Sequence, residues 1–78
     1  MSPARVTVWV RAGCHLCDDA LGALAPLEAS GRIALEVVDI EGDDALHAAL
    51  LERIPVIALD GEELYDFFVD EQDLRRRV

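Results

Sequence analysis

A chain of 78 residues has room for one domain, and 53% hydrophobic content against 29% charged is enough apolar material to fold it. Its net charge of −9 arises from 16 acidic and 7 basic residues, without a single lysine. That balance excludes the basic surface needed to neutralise nucleic-acid phosphates, and no apolar run approaches the roughly 18 residues of a membrane-spanning helix.

The elements follow in chain order. Arg5 to Arg11 reads as a strand, with Val6, Val8 and Val10 alternating with Thr7 and Trp9. Ala12 and Gly13 break it. From His15 the period changes to that of a helix, with Cys17, Ala20, Leu21 and Leu24 on one face. Pro26 is expected to kink or end that helix, because it lacks an N–H donor, and Ser30-Gly31 makes the turn. Ile33 to Ile40 is a second strand, apolar on both faces as in a covered sheet. Asp43 or Asp44 caps a helix reaching about Glu52. Pro55 to Leu59 and Glu62 to Tyr65 form a hairpin about Asp60-Gly61. Asp70 caps a last helix carrying Leu74, and Arg75, Arg76 and Arg77 suit the negative end of its dipole. The order β-α-β-α-β-β-α predicts an α/β fold: a mixed four-stranded sheet flanked by helices, its first two strands parallel through a right-handed crossover.

The chemistry concentrates in Arg11-Ala12-Gly13-Cys14-His15-Leu16-Cys17. A cysteine where a strand turns into a helix meets unpaired backbone N–H groups and the positive end of the dipole, both of which favour the thiolate. Cys14 stands there. Cys17 lies one turn on, near enough to resolve a mixed disulfide, and its apolar face predicts the deeper burial. A buried inert pair and half of a zinc site are the competing readings. The zinc reading lacks a second Cys-x-x-Cys, since His15 and His47 are the remaining nitrogen ligands. No metal ligand is assigned.

The segment Val8 to Cys17 resembles the opening of a glutaredoxin, with strand, Arg, small residue, Gly and Cys-x-x-Cys. Val37-Val38-Asp39-Ile40 with Asp43-Asp44-Ala45-Leu46 is similar to that family's second strand and helix. Arg53-Ile54-Pro55-Val56 resembles its cis-proline segment, and Asp60-Gly61-Glu62-Glu63-Leu64 its closing hairpin. The resemblance spans nearly the whole chain, fits short bacterial glutaredoxin-like proteins, and implies a thioredoxin fold over residues 1–78 as one domain. It implies that Cys14 is the nucleophile and Cys17 the resolving thiol. It also implies that Pro55 is cis beside them, and that the Ile54 backbone pairs with an extended substrate. Arg11 matches a basic residue that contacts the glutathione carboxylate in glutaredoxins; the alternative is a solvated strand-end arginine. His15 replaces the usual proline, and either supports the thiolate when protonated or is an exposed first-turn residue. Asp18 and Asp19 oppose the thiolate. The chain departs from glutaredoxins where a Gly-Gly pair helps hold glutathione: Tyr65-Asp66-Phe67-Phe68 stands there, with Asp66 or Asp70 as the acidic contact and at least one of the aromatics as core or rim packing.

The expected activity is thiol–disulfide exchange, an electron-transferring oxidoreductase acting on a protein disulfide or a small thiol. The rivals are a non-catalytic binding module and a metal or iron–sulfur carrier using Cys14. No cofactor is required. Glutathione or a disulfide reductase is the expected electron source, nucleic acid and membrane are not expected partners, and a monomer is expected. Met1 to Val10 lacks a long apolar stretch and a processing site, so the expected location is the cytoplasm.

Overall fold

The computed structural model describes residues 3–78; Met1 and Ser2, part of the single-domain expectation, lie outside them. Strand β1 (Ala4–Val10) leads into helix α1 (His15–Ala29), strand β2 (Ile33–Asp39) and a short 3₁₀ turn (Ile40–Gly42). Helix α2 (Asp44–Leu50), strands β3 (Val56–Leu59) and β4 (Glu62–Asp66), and helix α3 (Glu71–Arg77) complete the chain. The sheet order is β2-β1-β3-β4. β1 runs parallel to β2, with Val6 opposite Leu35, and antiparallel to β3, with Val8 opposite Ile57. This is the mixed four-stranded sheet that the element order predicts, in the thioredoxin-like arrangement that the resemblance implies.

The pleat of β1 divides the core. Val6 and Val8 join Leu24, Leu27, Ile33, Ile57 and Leu74, all buried, so α1 and α3 close one face. Trp9 turns the other way and packs with Ile40, Leu50 and Val56, where α2 covers the sheet. Side-chain caps start two helices: the Asp43 carboxylate accepts the Leu46 N–H at 3.0 Å, and that of Asp70 accepts the Asp73 N–H at 3.0 Å. In the hairpin, Asp60 and Gly61 take φ of 49° and 90°, the two successive left-handed residues of a type I′ turn.

Two sequence expectations are corrected. Pro26 neither ends nor interrupts α1, which continues to Ala29. Burial of Leu24 and Leu27 holds the turns on either side of it. The helix stops instead at Gly31: the Gly31 N–H donates to Glu28 and the Arg32 N–H to Leu27, the paired bonds of a glycine-terminated helix. Strand β2 is not covered on both faces. It is an edge strand, and Val37 is exposed.

Candidate functional site

The site hangs from the C-terminal end of β1. Arg11 to Cys14 is a turn in which the Cys14 N–H donates to the Arg11 carbonyl at 3.3 Å. Gly13 takes φ of 76° within it, a value a side chain would disfavour. The turn delivers Cys14 to the N-cap of α1 in extended conformation, with its Sγ accepting the Cys17 N–H at 3.1 Å. Cys14 is half-buried and Cys17 buried, as the apolar face of α1 predicts. Their Cα atoms are 5.2 Å apart, close enough for a disulfide.

Pro55 is buried and joined to Ile54 by a cis peptide bond. The pairing of Trp9 with Val56 sets Pro55 at the end of the sheet from which the Arg11–Cys14 turn leaves. The Ile54 N–H is already donated to the Leu50 carbonyl at 3.1 Å, so of its two backbone groups the carbonyl is the one left to meet an extended strand.

The charged candidates pair with other side chains of the chain or face solvent. Arg11 pairs through Nε with Glu41, which His47 also approaches at 3.9 Å. Asp66 receives two bonds from the Arg53 guanidinium, at 3.1 and 3.0 Å, and Glu63 a third at 2.6 Å. Asp66, then Glu63, hold Arg53 in its protonated form. His15 points to solvent, its side chain 91% exposed and 4.0 Å from Asp19. Both arginines flanking the redox turn and the proline are thus neutralised by carboxylates of the chain itself. Glu41 could not be singled out from the sequence, because its partner lies 30 positions away.

Of the aromatics at the end of β4 and beyond it, Tyr65 packs against the core, as expected of at least one of them. Tyr65 is half-buried and donates to Asp73 at 2.6 Å; burial, then that bond, push its hydroxyl up to about 12. Asp73 lies below its ordinary value, held there by Tyr65 first and Arg77 second. Phe67 and Phe68, however, are exposed. With Leu16, Asp19, Ala20, Ala23 and Val69 they line a groove of about 200 Å³ along α1.

Among the described residues no group of three or more His, Cys, Asp or Glu is disposed to hold a metal ion, and no helix is long and apolar enough to cross a membrane.

Comparison with known proteins agrees with this geometry. The chain is 34% identical to an uncharacterised protein of Mycobacterium tuberculosis, over all of this chain and 86% of the relative. A protein of Nitrosomonas europaea, solved by NMR, superposes with a TM-score of 0.83 at 29% identity, covering 100% of this chain and 94% of the other. An X-ray structure of a protein from X. campestris gives 0.72 at 40% identity, covering 92% of each. A thioredoxin mutant from Halobacterium salinarum shares the fold, with a TM-score of 0.65 at 21% identity over 99% of this chain and 73% of that one. The family described as Glutaredoxin-like domain (DUF836) matches residues 5–78, and the chain belongs to it.

Proposed function

We propose that this protein is a thiol–disulfide oxidoreductase that reduces disulfides of a protein partner through Cys14 and Cys17. The observation that carries the reading is the N-cap placement of Cys14, whose sulfur already accepts a backbone N–H of α1, with Cys17 buried one turn behind it. A thiolate at Cys14 is stabilised by the same N–H group and by the helix dipole.

The exchange proceeds in two steps. The Cys14 thiolate attacks one sulfur of the partner disulfide; a Cys14–partner bond forms, the partner S–S bond breaks, and the departing thiolate takes a proton from solvent. Cys17 then gives up its proton and attacks the Cys14 sulfur. The Cys14–Cys17 bond forms, and the second partner thiolate leaves and is protonated. The partner gains two electrons and two protons, and the dithiol is oxidised. A small thiol such as glutathione, or a dithiol reductase, returns the electrons. The carbonyl of Ile54 beside Pro55 suits an extended partner segment. The reading places the protein in a reducing compartment such as the cytoplasm.

Engagement of Arg11 by Glu41 and of Asp66 by Arg53 favours a protein disulfide over tight binding of anionic glutathione. The test is trapping with Cys17→Ser, which should stall as a mixed disulfide on Cys14, alongside reduction of a protein disulfide and a glutathione mixed disulfide at equal protein concentration. A trapped partner and faster reduction of the protein disulfide are expected. A visible cofactor spectrum with no exchange activity would mark a metal or iron–sulfur carrier instead.

A further inference from the structure

We infer that the groove between α1 and the Phe67–Phe68 turn reads the partner's sequence beside its reacting cysteine, taking an apolar side chain followed by a cationic one. The inference rests on the exchange reading and names the class of substrate.

Three observations converge on this groove. The exposed large hydrophobic residues among the described residues are Leu16, Val37, Phe67 and Phe68, and all but Val37 line it. Surface clusters of this kind mark interaction sites. Leu16 is two residues from Cys14, so the groove begins within one helical turn of the nucleophile. From Leu16 to Ala23 it runs roughly 10 Å at 1.5 Å per residue. That is about three residues of extended chain.

The second observation is backbone strain. Phe67 has φ of 70°, a left-handed value that is unfavourable for a bulky side chain. The turn is fastened on both sides: the Phe67 N–H donates to the Pro55 carbonyl at 2.8 Å, and the Phe68 N–H to the Asp66 carbonyl at 2.8 Å. Strain of this kind persists where the surrounding structure over-determines it and clusters at ligand-contacting sites. Here its result is a pair of adjacent aromatic rings at the surface, 47% and 68% exposed, tied by a hydrogen bond to the proline of the redox site.

The third is charge. Asp19 lines the groove, Asp18 is its neighbour in the chain, and Asp70 and Glu71 directly follow the lining residue Val69; no arginine is among the residues that line it. An Arg or Lys following the apolar side chain therefore meets complementary charge. A second copy of this chain is a poorer occupant, since each copy carries net charge −9 and pairing would oppose acid to acid.

The probes are synthetic peptides Gly-Cys-Ala-Phe-Arg-Gly, with Phe→Ser and Arg→Glu versions, each carrying its cysteine as a mixed disulfide with mercaptoethanol. Hydroxyethyl disulfide is the reference without peptide. For the reduced wild type, the second-order rate constant of the single turnover, taken relative to the reference, should favour the Phe over the Ser peptide about tenfold. Phe68→Ser should collapse that preference, and Phe68→Leu should keep most of it. Asp19→Asn should lower the preference for Arg over Glu about threefold. Equal values for the Phe and Ser peptides would overturn the inference. So would a wild-type dimer that Phe68→Ser converts to monomer. Binding is read separately from chemistry by an amide NMR titration of the oxidised protein with the Cys→Ser peptide. If the protein reduces neither peptide nor reference, the exchange reading fails. The titration then decides the groove alone: shifts confined to Leu16, Ala20, Phe67 and Phe68 sustain it, and none overturns it.

Discussion

The sulfur of Cys14 accepts the backbone N–H of Cys17 at 3.1 Å, so the proposed nucleophile is also the N-cap of the longest helix. Serine keeps an acceptor in that place and alanine does not. In the reduced protein Cys14→Ala should therefore cost about 1 kcal/mol of stability, and Cys14→Ser less. Urea unfolding of the three reduced proteins measures this; equal losses for both variants would show that the sulfur does not cap the helix.

Arg11 is held by Glu41, and both side chains are near half exposed. Glu41→Gln should free the guanidinium for an anionic substrate. Reduction of a glutathione mixed disulfide should rise by about two- to threefold relative to a neutral small disulfide, and the gain should shrink with added salt. No change in that ratio would mean that Arg11 does not reach the substrate.

The Tyr65–Asp73–Arg77 cluster sets both ends of a stability profile. Asp73 lies below its ordinary value of 3.8, so its contribution is present above that pH and is lost as pH falls through the lower folded value. Tyr65 is raised from 10.0 to about 12, so its contribution is present below pH 10 and is lost as pH rises toward 12. Tyr65→Phe should flatten the alkaline limb and weaken the acid one. Thermal midpoints across pH for both proteins test it, and parallel profiles would count against the pairing.

Much of this arrangement was legible in the sequence because it is local. The Asp43 and Asp70 caps, the Asp60-Gly61 turn and the helical face of Cys17 each depend on residues within one turn of one another. What escaped depends on distant partners. Pro26 stays helical because Leu24 and Leu27 are buried by other elements. Strand β2 reads as a covered strand, but the sheet order leaves it at an edge. Glu41 and Arg53 are ordinary charged residues until the fold brings them to Arg11 and Asp66. Packing by at least one of Tyr65, Phe67 and Phe68 is legible in the sequence, and Tyr65 provides it; that both phenylalanines lie outside, with Phe67 at positive φ, is seen only in the fold.

That same φ makes Phe67→Gly informative. Glycine removes a backbone cost of about 1 kcal/mol or more, while the half-exposed ring forfeits only part of its burial. Stability should stay within about 1 kcal/mol of wild type, and the preference for the apolar peptide should fall. A destabilisation nearer the ~3 kcal/mol of a buried Phe truncation would identify Phe67 as core.

The position of β1 in the sheet has a dynamic consequence. It is paired on both sides and carries Val6 and Val8 at 0% exposure, whereas β4 is paired on one side only. Amides of β1 should be among the slowest to exchange with solvent, opening only with the whole domain, and those at the end of β4 among the fastest. The cysteine turn is thus suspended from a central strand and the Phe67–Phe68 turn from an edge strand. Sulfur geometry can stay constant from one partner to the next while the exposed Phe67 and Phe68 rings, on a fastened backbone, adjust to each.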